Sequence, residues 1–371
     1  MKLTRWQFFC MMTALEVCMT IWLTIAPALK TAKQDGWISI LLGGCIGIVV
    51  ALMMAAISRL YPGHTLVQFT ELIFGKWIGK FVTLLYFLTW YSVAAVILRD
   101  AADFLQLVLF RSTPMYTIII VILLLMLYIN YRGGVNALGR FSEIAGPLLL
   151  FVIALSIILN LKSMEPHLIR PILSDTGMSA ILQGSFVYAS FLGETYFIFM
   201  LMPFLAAKKQ AGRDLVLVIV TTTITVTLAT LLVIMLFGPN FPSKFMYPYF
   251  FAVRYISLLN FIENIDIWVM FVWLLAVFVK LSLYMFICSY GTAQWLGIKN
   301  WKKIVWWFAG IMFLSSVLPR NITIINQIYA EKFWTPYVFP VMMIGLPVIM
   351  LIVGSLRQNR RNGDSAREQA G

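Results

Sequence analysis

The chain has 371 residues, 61% of them hydrophobic and 12% charged, with a formal net charge of +13. A soluble globular domain carries about a quarter charged residues, so this composition excludes one; apolar runs that are continuous rather than alternating exclude a β-barrel. The surplus of Lys and Arg sits in the loops between those runs, which is the pattern of membrane topology and not of nucleic-acid binding.

Ten apolar runs follow in chain order: Trp6–Ala26, Trp37–Ser58, Phe81–Leu105, Met115–Tyr131, Phe141–Leu161, Ala180–Phe204, Leu215–Phe237, Ile267–Ser289, Ile304–Leu318 and Thr335–Leu356. Crossing a bilayer takes roughly 20 apolar residues, and only the ninth run is short of that by much. The chain therefore reads as an all-α polytopic membrane protein, one permease-like domain over residues 1–358 with a polar tail over 359–371. Counted over alternate loops, seventeen Lys and Arg lie on one side and nine on the other, with both termini on the richer side. Positive-inside bias makes that side cytoplasmic, and an even number of spans agrees with it.

The first run, WQFFCMMTALEVCMTIWLTIA, is a span rather than a cleavable signal: it continues past Glu16 and has no A-x-A site. Glu16 stands near its middle. The third run ends in Arg99, Asp100 and Asp103; Arg99 and Asp103 are four apart on one helix face and read as an interfacial ion pair. The sixth run holds Gly193-Glu194-Thr195 near its centre. Glycine costs about 1 kcal/mol in a helix interior, and a carboxylate at bilayer depth costs roughly 2.5 kcal/mol or more. A broken helix that lines a ligand cavity uses both. Spans one and six are equivalent if ten spans divide into two halves, residues 6–161 and 180–356. Five spans per half force the repeat to be inverted, so two interrupted helices meet near the midplane.

Between spans seven and eight, three prolines (Pro239, Pro242 and Pro248) break the chain, and Arg254, Ser257, Asn260 and Asn264 then recur at helical spacing. That spacing predicts an amphipathic helix on the outer membrane face, a lid or a filler. The eighth run carries Lys280 near its centre, too deep to snorkel with ease, and Glu16 or Glu194 is its expected partner. After span ten, Arg357–Gly371 reads as disordered, with Arg360 and Arg361 at the inner leaflet. Cys10, Cys18, Cys45 and Cys288 all lie in apolar runs with no CxxC spacing and read as small buried side chains. His64 and His167 are far apart in loops. No metal, cofactor or catalytic constellation emerges.

Several stretches resemble the spore-germination B-subunit family: LTRWQFF at Leu3–Phe9, AKQDGWISILLGG at Ala32–Gly44, YPGHTLVQFTELIFGKWIGK at Tyr61–Lys80, RGGVNALGRFSEI at Arg132–Ile144, FLGETYFIFMLMPFL at Phe191–Leu205, and the Phe241–Asp266 stretch. The resemblance covers about residues 3–358. It implies the five-plus-five inverted-repeat (LeuT-like) fold of the amino acid–polyamine–organocation permeases, with interrupted helices one and six. It also implies a receptor subunit in the spore inner membrane that works with A-type and lipoprotein C-type partners, lies in membrane lipid, takes a small nutrient ligand and binds no nucleic acid. Substrate-binding residues are then expected at Glu16, Val17 and Cys18 in span one, Phe191, Gly193, Glu194 and Thr195 in span six, and Lys280 in span eight. One departure stands out. Related permeases unwind span one at a glycine-containing stretch, and here Leu15–Met19 has no glycine and carries a carboxylate, which would repel an amino-acid carboxylate.

Four function classes compete: a nutrient-sensing receptor subunit, a proton-coupled amino-acid or amine permease, a pore, and an intramembrane enzyme. The last has no paired catalytic residues behind it. The loop charges give a direct test of topology. Cysteines placed singly across Lys208–Arg213 should resist a membrane-impermeant thiol reagent added to sealed cells, and those across Lys244–Arg254 should react. Labelling of the first set from outside overturns the orientation.

Overall fold

A computed structural model describes residues 2–174, 176–256, 265–318 and 324–368. Among them the helices are α1 (Arg5–Leu23), α2 (Ile25–Ala32), α3 (Gly36–Leu60), α4 (Leu66–Phe74), α5 (Lys76–Val108), α6 (Met115–Arg132), α7 (Gly134–Asn160), α8 (Met178–Leu192), α9 (Ile198–Leu201), α10 (Ala211–Phe237), α11 (Pro248–Arg254), α12 (Ile265–Leu296), α13 (Lys302–Val317) and α14 (Leu346–Glu368). Nine helical stretches of the described residues are long and apolar enough to cross a membrane. The tenth span, ninth in order, is the 16-residue α13. Its length is about 24 Å at 1.5 Å per residue.

The halves are α1–α7 and α8–α14. Each opens with an interrupted span, and each inserts a short helix between its second and third spans, α4 in the first half and α11 in the second. Packing follows the same two-fold relation. Span one packs on span seven (α1 on α10) as span six packs on span two (α8 on α3). Span nine meets span three (α13 on α5) as span four meets span eight (α6 on α12), and span five meets span eight (α7 on α12) as span three meets span ten. An inverted repeat generates such paired contacts, because exchanging the halves maps every interface onto its partner.

Close approach at the centre of this bundle is set by small residues, as is usual where helices pack in lipid. A Cβ on Gly44 of α3 would lie 2.4 Å from Thr223 Cγ2 of α10, so any larger side chain forces the two spans apart. Many outward-facing positions are apolar, among them Trp77, Ile144 and Trp307, which are largely exposed.

Three features tie the ends of the bundle. At one end, Leu3 donates its N–H to Phe204 O (2.8 Å) and its carbonyl accepts from Ala206 N (3.0 Å), while Arg5 Nη2 donates to Asp214 Oδ1 at 2.6 Å. The start of span one and the loop after span six therefore share one membrane side, as the loop charges require. At the other end, the Asp35 carboxylate accepts from Leu173 N (3.1 Å) and from Thr176 Oγ1, fastening the loop before α8 to the corner between α2 and α3. Finally, α11 is not a surface helix: Tyr249 is fully buried, with its hydroxyl 2.5 Å from Ser156 Oγ, and Trp22 packs against Tyr249, Phe250 and a stacked Trp273. The expected amphipathic segment falls on 257–264, which lie outside the described residues.

Other expectations change in detail. Arg99 does pair with Asp103 at 2.7 Å, but both Arg99 and Asp100 are buried, Arg99 also donating to Ser316 O and Asp100 accepting from Tyr247 Oη. They form an interior network and not a simple interfacial pair. Cys45 is exposed on α3, whereas Cys10, Cys18 and Cys288 are buried. The expected disordered tail begins as helix, since α14 runs to Glu368 without a breaker at the span's end. Ahead of α14, Ile324–Gly345 is wound more widely than an α-helix and contains Pro336 and Pro340, which cannot donate to an α-type ladder. The clearest stability test lies at the α3–α10 contact. Gly44→Ala should destabilise the protein by about 1–3 kcal/mol through overpacking, read by thermal unfolding in detergent; Gly310→Ala, with open space at its Cβ, should be neutral or slightly stabilising.

Candidate functional site

The sixth span breaks where Gly193 falls. Helix α8 stops at Leu192, Gly193–Phe197 tightens to a 3-10 turn, and α9 resumes for one turn. A Cβ at Gly193 would lie 1.8 Å from Met343 Sδ of span ten, so the glycine admits a neighbouring side chain rather than a ligand. The break turns Glu194 toward α12, where Lys280 Nζ donates to Glu194 Oε2. Both side chains are almost wholly buried, 2% and 5% exposed. Tyr284, one turn beyond Lys280, donates to Glu194 Oε1 at 2.6 Å, and its oxygen lies 3.3 Å from Tyr196 Oη. Lys280 donates a second bond to Leu15 O of α1 at 3.2 Å. One ammonium thus joins spans one, six and eight.

Span one is also interrupted, at Thr24 between α1 and α2. Glu16 lies earlier, on unbroken helix. Its carboxylate is fully buried and accepts no hydrogen bond among the described residues, and it lies within electrostatic reach of Glu194 and Lys280. Cys18 keeps its thiol on Leu15 O (3.4 Å) and its carbonyl on Trp273 Nε1 (2.8 Å), and Val17 is packed in the core.

Above the ion pair is a cavity of about 50 Å³. Glu194 and Lys280 line it together with Phe191, Met19, Val93 and Ile97, and Tyr329 and Trp334 close it from span ten. Of the residues expected at the site, the structure brings Phe191, Glu194 and Lys280 to this cavity. Glu16, Val17, Cys18, Gly193 and Thr195 are not among its lining residues. A larger cavity of about 290 Å³ adjoins it, sharing Leu23, Phe191 and Ala330, and carries Lys30, Lys244 and Glu331 at its mouth. Lys30 Nζ stands 3.9 Å from a Glu331 carboxylate oxygen. The outer cavity is near the lower bound for small-molecule pockets, about 300 Å³. The inner one has the volume of one or two waters at about 30 Å³ each.

Sequence reasoning missed Tyr284, Tyr196 and the contribution of spans three and ten. Tyr284 had a signal, since it sits one helical turn from Lys280 on the same face. Val93, Val96 and Ile97 had none, being identical in type to core positions on any buried span.

Three comparisons bear on this arrangement. A family profile described as spore germination protein matches residues 2–325. Spore germination protein KB of Bacillus subtilis is 26% identical, covering 98% of this chain and 97% of its own length, and spore germination protein YndE of the same organism is 21% identical over 89% of each. Among solved structures, the nucleobase-cation-symport-1 family transporter Mhp1, closed with bromovinylhydantoin bound, matches with a TM-score of 0.59 at 13% identity over 96% of this chain and 91% of that one. A Na+-coupled sialic acid symporter in a substrate-bound outward-open state matches with a TM-score of 0.67 at 13% identity, over 96% and 89%. At that identity the likeness is one of fold, and the fold is the ten-span inverted repeat of these transporters.

The ion pair can be tested on the isolated protein. Lys280→Met should cost about 3–5 kcal/mol, the usual penalty for leaving a buried partner unpaired. Adding Glu194→Gln to Lys280→Met should recover part of that loss in denaturant unfolding, and strictly additive effects would refute the pairing.

Proposed function

The chain belongs to the spore germination protein family, and from that membership we propose that it is the integral-membrane B-type subunit of a nutrient germinant receptor. It binds a small nutrient, an amino acid or similar molecule, and signals to A-type and lipoprotein C-type subunits in the spore inner membrane. The observation that supports the binding role is the placement of the Glu194–Lys280 pair on the lining of a cavity that adjoins an outer vestibule.

In this reading the nutrient reaches the vestibule past Lys30 and Lys244, on the side that the loop charges assign to the outside. It then passes Leu23, Phe191 and Ala330. The inner cavity is too small for it in this conformation, so binding requires the collar to open. The breaks at Thr24 and Gly193 stand next to Leu23 and Phe191, where two spans can turn without distorting the rest of their helices. A polar ligand has matching groups waiting: an anionic group for Lys280, a cationic or hydroxyl group for Glu194. A nutrient that binds the opened arrangement more tightly than the closed one shifts the population toward it, and partner subunits in contact with the bundle read that shift. Chemistry is not asked of the site; binding energy is.

The second reading is a free-standing permease for an amino acid or amine, favoured by the transporter fold of the solved neighbours. Uptake of labelled amino acids by the isolated chain in proteoliposomes separates the two readings. For the receptor reading, spores carrying Glu194→Gln should lose at least tenfold in response to the effective nutrient while keeping a normal level of the protein. Deletion spores tested across a nutrient panel identify that nutrient. Normal germination of Glu194→Gln spores would reduce Glu194 to a structural role.

A further inference from the structure

A cavity of about 690 Å³ lies away from the central site, where α5, α6, α7 and α12 meet. None of its described lining residues is charged. From α6, Thr117, Val121, Leu125 and Tyr128 line it, a stripe at helical spacing. All four are exposed, as is Phe271 on α12, so the cavity is a groove open to the side. Its α6 wall runs from Thr117 to Ile129, about 18 Å at 1.5 Å per residue. That wall lies within a span, and one leaflet of hydrocarbon is about 15 Å deep, half of the core. The groove therefore opens into lipid and not into water.

At 3.6 residues per turn, Phe271, Leu274, Leu275 and Phe278 line the groove from the face of α12 opposite Trp273, Lys280 and Tyr284. Those three reach spans one and six. The groove is thus separate from the ion pair and from the two cavities beside it. Phe278 packs edge to face against Phe141 of α7 at 5.3 Å and ties the two spans together along the wall. One end of the groove carries a charge. Leu105, Phe110 and Thr113 line that end, on the side that the loop charges assign to the outside. Gln106 Nε2 donates to Thr113 O at 3.0 Å, which folds the loop back on α5. Arg111 stands in that loop, exposed and without an ion-pair partner among the described residues.

A void in hydrocarbon forfeits dispersion contacts along its walls, so an apolar occupant is favoured. A partner helix about 10 Å across would occupy about 1,400 Å³ over the same length, about twice the volume present. An acyl tail is thinner and has the matching length. We propose that the groove holds an acyl tail of one phospholipid, whose phosphate is met by Arg111. Guanidinium and phosphate pair through charge-assisted hydrogen bonds, while the tail packs against the apolar stripe. The bound lipid braces α12 from the face opposite Lys280. The site is independent of whether the chain senses a nutrient or transports one.

The test extracts the full chain in a mild detergent and counts bound lipid by native mass spectrometry. The wild type should keep one phospholipid through purification. Val121→Trp, which fills the groove, should lose it, a fall in occupancy of about tenfold. Leu124→Trp, exposed on the same helix but not on the groove, should keep it. Phosphatidylglycerol should outcompete the diacylglycerol with the same tails, and Arg111→Gln should remove that preference. Equal lipid in the wild type and Val121→Trp, a wild type without lipid, or a preference unchanged in Arg111→Gln overturns the proposal. If Val121→Trp keeps its lipid and instead sheds a co-purified membrane protein, the groove is a protein interface and the proposal falls. Should Val121→Trp fail to fold, delipidated wild type decides. Phosphatidylglycerol added back should raise its unfolding temperature, and tail-less glycerol phosphate should not. No rise with the lipid, or an equal rise with glycerol phosphate, overturns the site.

Discussion

Burying charge in hydrocarbon is expensive, and this molecule buries Lys280 and Glu194 almost wholly, beside a cavity with room for one or two waters. Neither residue is tolerable alone, so the spans that carry them must meet, and the meeting fixes the rest. The Lys280 ammonium reaches Glu194 on span six and the Leu15 carbonyl on span one. Tyr284 then has to stand on the same face of α12 to complete the carboxylate's shell. The break in span six falls at the same place: Glu194 faces α12 from the 3-10 turn, and Gly193 beside it leaves room for Met343. A buried pair of this kind contributes little net stability compared with an apolar replacement. Its value lies in selecting one arrangement of three helices and in remaining a place where a competing charge can intervene.

Around this pair, tight helix contacts and helix breaks stand side by side. The contact of α3 with α8 and α10 is made at van der Waals distance through small residues, and such surfaces slide or hinge poorly because any shift creates overlap. The breaks at Thr24 and Gly193, by contrast, concentrate the freedom to move at points beside the collar of the cavity. A close-packed contact between the halves and one break in each are the physical ingredients of a two-state protein. The buried aromatic group of Trp22, Trp273, Phe104 and Tyr249 packs the end of α1 next to Thr24 against α11.

The fold was legible in the sequence because membrane constraints are severe: length, apolarity and loop charge leave few architectures. Mid-span charges were legible for the same reason, since hydrocarbon penalises them enough that their presence demands partners. That logic identified Glu16, Glu194 and Lys280 as related but could not say which carboxylate takes the lysine, because the choice depends on the turn at Gly193. Gly193 itself misled, as a glycine beside a carboxylate suggests exposed backbone and here answers to Met343. The apolar wall from Val93 to Ile97 was illegible in principle: nothing in a valine distinguishes a ligand cavity from a core. Asp35 stood in plain view in a loop, but its role requires knowing that Leu173 and Thr176, some 140 residues later, return to it.

The seam between Leu3 and residues 204–206 bears on how the protein is made. Its hydrogen bonds join the first residues of the chain to residues that emerge from the ribosome two hundred positions later, a delay of about 10–40 s at ordinary elongation rates. Until then span one waits in the membrane with Glu16 and its polar end unsealed, and the Lys280 that anchors it against span six has not been synthesised. A nascent chain stalled after span five would lack residues 204–206 and Lys280, the partners that Leu3 and Leu15 of the first span have in the finished fold.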